Sequence, residues 1–311
     1  ITLRQKPALD KFRYRVVWRE LEDVGEISAI KHPFVRAALA HDTLPSGLDV
    51  VYSGDLPHGA GLGSSSSFGV TFLTALDALK GAQSTPDEMA KRVYHIERHT
   101  LGETVGVQDQ YAAAFGGFNY GRIGKDGSLL LERIRLPESR LKALEDRLIF
   151  VFTGVSRHAS DVAASKVKNF KSKEQSLHRM MAMTEEARAI LFGDQPLDAF
   201  GELLHESWML KKDLSDKICP PVVENIYADA RKAGVLGGKL LGAGGGGFMM
   251  LFVPEGEKGR VEQQLKDYVQ VPVKIDAPGP EVLLNMPQKY SEFYEQVWAK
   301  SAKNGLTGNG V

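Results

Sequence analysis

In the first fifty residues the apolar positions come in short β-prone runs. Stretches 13–18 and 48–52 are expected as strands, the second closed by Gly54-Asp55-Leu56-Pro57, and Ile1-Thr2-Leu3-Arg4 also reads as strand. After that loop the period changes. Phe68, Phe72, Leu73, Leu76 and Leu79 recur at helical spacing up to Gly81, which predicts a helix there. Thr85-Pro86-Asp87-Glu88 supplies an N-cap, a proline at the first helical position and a glutamate three residues after the cap. The helix it opens turns Met89, Val93 and Ile96 inward and has Gly102 as its stop. Further on, strands are expected at 129–136 and 148–152, and helices at about 173–192, 198–214 and 221–233, the last ended by Gly234. The fully apolar run 248–253 predicts a buried strand, and 271–275 a final one.

Strands early, helices in the middle and strands again near the end argue for an α+β fold with antiparallel sheets, not a doubly wound parallel one. A length of 311 residues suits two domains, 1–150 and 151–311, although no linker composition marks the boundary. Lys plus Arg and Asp plus Glu both number 39, so the formal net charge is zero. That balance gives no electrostatic case for nucleic acid or an anionic membrane as partner, and any bound anion must be held by a local site. The single cysteine, Cys219, excludes an intramolecular disulfide. It lies before Pro220-Pro221 with no histidine nearby, and reads as a small buried or boundary residue and not a nucleophile. With no signal-peptide pattern and no apolar run of the roughly 18–20 residues a bilayer requires, a cytoplasmic location is expected.

Two segments carry candidate chemistry beyond ordinary turn-making. Pro57-His58-Gly59-Ala60-Gly61-Leu62-Gly63-Ser64-Ser65-Ser66-Ser67 leads straight into the predicted helix at Phe68. A helix start offers unsatisfied N–H groups and the positive end of the dipole, and glycines upstream let the backbone close on an anion. A structural turn would need one serine and one glycine; this loop has four and three, so it reads as a phosphate cradle. It lacks the lysine of the G-x-x-x-x-G-K-[ST] loop, so a catalytic cation must come from elsewhere. The second run, Gly242-Ala243-Gly244-Gly245-Gly246-Gly247, formally contains G-x-G-x-x-G. It precedes a strand instead of following one, which argues against dinucleotide binding and for close packing on another loop.

In Gly102-Glu103-Thr104-Val105-Gly106-Val107-Gln108-Asp109-Gln110, Asp109 is either a helix cap or a general base for a substrate hydroxyl. Glu97, upstream, is an ordinary exposed helix glutamate when read alone. Read with a loop serine and nucleotide phosphates, it could complete an oxygen-only Mg²⁺ site. His95-Ile96-Glu97-Arg98-His99 has the order H-x-E-x-H, not the H-E-x-x-H of zinc proteases, and its histidines read as surface or packing residues.

These segments together resemble the GHMP kinases, the family of galactokinase and of homoserine, mevalonate and phosphomevalonate kinases. Residues 57–67 are similar to its phosphate-binding motif, 237–248 to its C-terminal glycine-rich motif, and 106–110 to the segment with its catalytic aspartate. Thr153-Gly154-Val155-Ser156-Arg157, Leu210-Lys211-Lys212-Asp213-Leu214-Ser215 and Gly237-Gly238-Lys239-Leu240-Leu241-Gly242 look like the heptose 7-phosphate kinase branch, with fucokinases close behind. The likeness runs over roughly 45–285.

The resemblance implies an N-terminal half like ribosomal protein S5 domain 2 and a ferredoxin-like C-terminal half. It implies ATP and Mg²⁺ as cofactors, with Gly59, Gly61, Leu62, Gly63, Ser64, Ser65 and Ser66 at the phosphates and Ser65 and Glu97 on the metal. Asp109 would be the base, and Gly242, Gly244, Gly245 and Gly246 would brace the loop. The implied acceptor is the anomeric hydroxyl of D-glycero-D-manno-heptose 7-phosphate, yielding the 1,7-bisphosphate. A fucose- or galactose-type acceptor, or a non-catalytic nucleotide or sugar sensor, is the alternative. Arg157, Lys211 and Lys212 are candidates for holding the acceptor's own phosphate, against a reading as solvated surface charge. The expected partners are ATP and a small sugar phosphate, on a monomer or homodimer. The family's first motif, a strand with a basic residue, has no match before Pro57 and is expected upstream of Ile1.

Overall fold

The structure, a computed structural model, describes residues 1–6, 11–42, 47–57, 59–155, 159–275, 277–286, 296–297 and 299–300. The chain forms two compact units, each discontinuous in sequence. The first comprises Ile1–Asp55, Ser66–Phe115 and the chain from Gly279 onward; the second comprises Leu56–Ser65 and Gly116–Pro278.

The first unit contains β1 (Thr2–Lys6), β2 (Tyr14–Val17), β3 (Leu21–Val24), α1 (Pro33–His41) and β4 (Gly47–Val51). These are followed by α2 (Ser64–Leu79), whose first two residues belong to the second unit, α3 (Pro86–His95) and α4 (Gln108–Phe115). Its sheet has the order β1-β4-β2-β3. β1 runs antiparallel to β4 and β2 to β3, but β2 and β4 are parallel, with Tyr14 opposite Leu48. The sequence reading expected antiparallel pairing and placed no element between 18 and 48. A parallel neighbour needs a crossover, and α1 supplies it. Tyr14, Val16, Leu48 and Val50 are buried, as are Phe72, Leu73 and Leu76 of α2. At Gly69 the helices approach so closely that a Cβ would lie 2.7 Å from the Phe34 ring and 2.9 Å from Val93. The capping box read at Thr85 is present, with Glu88 N–H on the Thr85 hydroxyl at 3.2 Å and the Thr85 N–H on Glu88 at 2.8 Å.

The second unit contains β5 (Asn119–Ile123), β6 (Leu129–Arg133), α5 (Glu138–Glu145), β7 (Leu148–Phe152), α6 (Ala159–Asn169), α7 (Glu174–Phe192) and α8 (Asp198–Lys212). It continues with α9 (Pro221–Lys232), β8 (Gly237–Leu240), β9 (Phe248–Phe252), α10 (Lys258–Gln264) and β10 (Val269–Val271). β5 and β6 form a hairpin, and the main sheet is antiparallel in the order β10-β7-β9-β8. β9 is apolar throughout because both of its faces are covered. Met249, Leu251 and Val253 join Trp208, Ile218, Ile226 and Tyr227 in one core, while Phe252 joins Leu144, Leu148, Ile190 and Leu197 in another.

The final strand is two residues earlier than expected, at Val269–Val271 and not 271–275. Val269 pairs with Phe152 and Val271 with Phe150, and Pro272 then has no N–H to continue the ladder. Among the described residues no helix is long and apolar enough to cross a membrane.

Candidate active site

The glycine-serine loop is held by the second glycine run, within the second unit. Gly61 and Gly242 lie backbone to backbone in left-handed conformations, with φ of 77° and 63°. A Cβ on Gly61 would sit 2.9 Å from the Leu241 carbonyl oxygen, and one on Gly242 would sit 2.8 Å from the Gly61 Cα. Only glycine fits both positions. Next to them the Phe248 N–H donates to the Ala60 carbonyl at 3.0 Å. The Gly247 N–H donates to Val155 O at 2.7 Å and Thr153 Oγ at 3.0 Å, and the Gly245 N–H to Ile218 O at 2.8 Å. Gly244 faces the Ile218 backbone and Gly246 the Val155 backbone. So anchored, the loop passes through Gly59, Gly61 and Gly63, all at positive φ, into the free N–H groups at the start of α2. Leu62 and Ser64 are half-buried there and Ser65 is exposed.

Ser66, one residue further, is buried in the first unit. Its hydroxyl lies 3.2 and 3.0 Å from the two carboxylate oxygens of Glu97. Glu97, only 1% exposed, sits in a π-helical turn, Ile96–Thr100, that follows α3. The Leu101 N–H reaches back five residues to the Ile96 carbonyl at 2.9 Å. The sequence predicted a regular helix running on to Gly102. Such widened turns collect at functional sites, and this one carries a buried carboxylate. Burying that charge costs several kcal/mol unless donors meet it. Ser66 is one donor and the Gln110 side-chain amide is another. The Gln110 amide oxygen is itself buried without a partner. Glu97, Ser66 and Gln110 therefore bring together a carboxylate, a hydroxyl and an amide oxygen, a set suited to a hard cation. Among the described residues no group of three or more His, Cys, Asp or Glu could form an all-protein metal cage.

Asp109 occupies the first turn of α4, one residue before Gln110, and is not the N-terminal cap. Its surface reaches solvent, yet enough protein surrounds it that lost hydration holds the carboxyl above the ordinary aspartate range. No described residue donates a hydrogen bond to it. An unpaired carboxylate with raised basicity is what a proton acceptor requires.

The lysines suggested for the acceptor's phosphate differ. Lys211 is buried, and its ammonium donates to the carbonyls of Leu240 and Gly242 at 2.7 and 2.8 Å, fixing the corner where β8 runs into the glycine segment. Lys212 pairs with Glu224 at 2.9 Å on the surface. Arg157 lies outside the described residues. Sequence reasoning missed Gln110 as the partner of Glu97, although its place after Asp109 on a helix was the available signal. The serine that touches Glu97 is Ser66. Cys219 is half-buried against Glu224, and burial pushes its thiol up to about 12, away from nucleophile chemistry.

Known proteins share this organisation. Residues 28–117 match the family description "GHMP kinases N terminal domain" and 183–270 match "GHMP kinases C terminal". The D-glycero-alpha-D-manno-heptose 7-phosphate kinase of Campylobacter jejuni is 32% identical over 253 residues, covering 79% of this chain and 74% of that protein. The galactokinase of Bacillus subtilis is 27% identical over 246 residues, 68% of this chain and 62% of that enzyme. A crystal structure of a D-glycero-D-manno-heptose 1-phosphate kinase from Bacteriodes thetaiotaomicron superposes with a TM-score of 0.69 at 22% identity, over 89% of this chain and 84% of that one. That likeness speaks for the fold alone.

Proposed function

The chain belongs to the GHMP kinase family and is a phosphotransferase with an alcohol acceptor, and on that premise we propose that it transfers the γ-phosphoryl group of ATP to the anomeric hydroxyl of a heptose 7-phosphate. The observation that carries the acceptor is the 32% identity to a heptose 7-phosphate kinase over most of both chains. In this reading Gly59, Gly61, Leu62, Gly63, Ser64 and Ser65 cradle the nucleotide phosphates with backbone N–H groups and hydroxyls. Gly242, Gly244, Gly245 and Gly246 keep that cradle in shape. Asp109 orients the acceptor hydroxyl and takes its proton. Phosphoryl transfer asks for positioning and charge neutralisation more than for covalent chemistry.

Mg²⁺ fits this set. Glu97 and Ser66, with Gln110 beside them, are the residues that would hold it. The ion would supply charge neutralisation at the phosphates. Two outcomes follow. Chelation of divalent cations abolishes turnover, and Glu97→Gln raises the Mg²⁺ concentration for half-maximal velocity by about tenfold or more, as loss of a charge-assisted contact implies. Velocity measured against Mg²⁺ concentration reads both; a Glu97→Gln curve superimposed on the wild type removes Glu97 from the metal.

The acceptor is tested with ATP, Mg²⁺ and a panel of heptose 7-phosphate, mannose, fucose and galactose, followed by ADP release and product mass. Turnover of the heptose phosphate alone supports the proposal. Selective turnover of galactose instead favours a second reading, a galactokinase-type acceptor, which the similarity to the Bacillus subtilis enzyme suggests.

A further inference from the structure

Some buried charges in this protein are met by opposite charge. Arg147, 6% exposed, has Asp198 and Glu255 on its guanidinium; Asp77, 5% exposed, has Arg92. At one corner of the second unit a buried ammonium meets neutral carbonyls instead. Lys211, at the end of α8, sends its ammonium to the backbone where β8 ends, onto Leu240 and Gly242. Lys239 is the strand residue just before Leu240. The C-terminal half of α6 is docked on the segment that follows α8, through Ser165 Oγ to Ser215 Oγ at 2.8 Å and Asn169 Nδ2 to Leu214 O at 2.8 Å. Lys166 lies on that docked stretch, between Ser165 and Asn169.

The three positive charges act on one another. Lys211 is held well below the ordinary lysine range by burial and by the charges of Lys239 and Lys166, and Lys239 is lowered by burial and by Lys166. Burial also lowers Lys166. No carboxylate among the described residues pairs with any of the three. Two of the three N–H groups of Lys211 are engaged, on neutral carbonyls; Lys166 and Lys239 have no partner among the described residues. Partly buried ammonium groups left in this state weaken the fold, because each loses hydration without a compensating anion. Lysine offers donors only, and ammonium groups close enough to act on one another match the acceptor oxygens of a phosphate dianion. Since the chain carries no net charge, such an anion is held by this local cluster and not by a general field.

We propose that Lys166, Lys211 and Lys239 form an anion site that takes a phosphate monoester dianion, the phosphate already carried by the acceptor. The assignment to the acceptor rests on the function proposed above; the anion site itself does not. The Gly242 carbonyl links this corner to the glycine run that touches Gly61, so a phosphate of the nucleotide is the other source of the same chemistry.

The test uses the full chain and the variants Lys166→Gln and Lys239→Gln. Lys211 is left alone because it also anchors the backbone. With ADP present to fill the glycine loop, inorganic phosphate is titrated calorimetrically. The wild type binds it, and each variant binds about tenfold more weakly or worse, the loss expected for one charge-assisted hydrogen bond. In phosphate-free buffer, Lys239→Gln melts no lower than the wild type, since an uncompensated charge has been removed, and the rise in Tm that phosphate gives the wild type is lost. The KM for heptose 7-phosphate rises with the same factor while the KM for ATP stays fixed. If the KM for ATP rises instead, the site holds a nucleotide phosphate and the acceptor assignment is overturned. Equal phosphate binding by all three proteins overturns the site. Loss of phosphate binding in the variants of a protein that phosphorylates no sugar leaves the anion site standing and removes the proposed acceptor.

Discussion

Replacing Asp109 with asparagine is expected to lower kcat by about 10²- to 10⁴-fold, the range general-base groups contribute, with ATP affinity unchanged. The substitution keeps the shape of the side chain and removes its capacity to accept a proton. No described residue depends on the carboxylate for a hydrogen bond, so the loss is confined to chemistry. The raised pKa sets two further signs. The base must be ionised to act, so wild-type turnover falls as the pH drops through a value above the ordinary aspartate range. For stability, a carboxyl whose folded pKa exceeds its unfolded one favours the fold below the unfolded value, and that contribution is lost as pH rises through the folded value. At neutral pH the charged Asp109 therefore weakens the fold, and Asp109→Asn melts no lower than the wild type, the gap closing toward acid pH. Single-turnover kinetics, nucleotide titration and melting curves at several pH values check all three. Near-normal kcat would remove Asp109 as the base.

The parts of the site legible in the sequence are those that backbone geometry demands. A helix start after alternating glycines has few uses, and a glycine run before an apolar strand must pack against backbone, so both segments could be found without coordinates. The two apolar faces of β9 were legible for the same reason. Side-chain environments were not. Glu97 looks like any helix glutamate until the π turn after α3 is seen to bury it against Ser66. Lys166 and Lys239 are two letters among 39 basic residues. Only their burial and their lack of a carboxylate separate them from surface charge, and both depend on contacts far apart in the chain. Lys212, suggested from the same local pattern as Lys211, is a half-buried partner of Glu224. Adjacent lysines on one helix face different surroundings, and the sequence has no means to rank them. The strand at Val269–Val271 was misplaced because the valine alternation continues past Pro272 while the hydrogen-bond ladder does not.

Adding a single methyl group at Gly242 is expected to weaken ATP binding by about tenfold or more and to lower the melting temperature, although Gly242 need not touch the nucleotide. A non-glycine residue at a φ of 63° costs about 1–2 kcal/mol from backbone sterics alone. The new Cβ of Gly242→Ala would also lie 2.8 Å from the Gly61 Cα and 3.0 Å from the Gly61 carbonyl oxygen. Those atoms are backbone and cannot rotate away as a side chain would. Gly61 must then shift, and with it the N–H groups at the mouth of α2, so the strain is transmitted to the phosphate cradle. The reverse variant, Gly61→Ala, meets the Leu241 carbonyl at 2.9 Å and should fail in the same way. Because the two residues share one contact, the double variant should cost less than the sum of the singles. A control at Gly127, also at positive φ but with open space around its Cβ, isolates the steric part. Gly127→Ala is expected to lose a little stability and no ATP affinity. Nucleotide titration of the four variants decides the matter. If Gly242→Ala binds ATP as Gly127→Ala does, the second glycine run is not what shapes the loop. If it loses affinity while Asp109→Asn does not, binding and proton transfer are carried by separate parts of the chain.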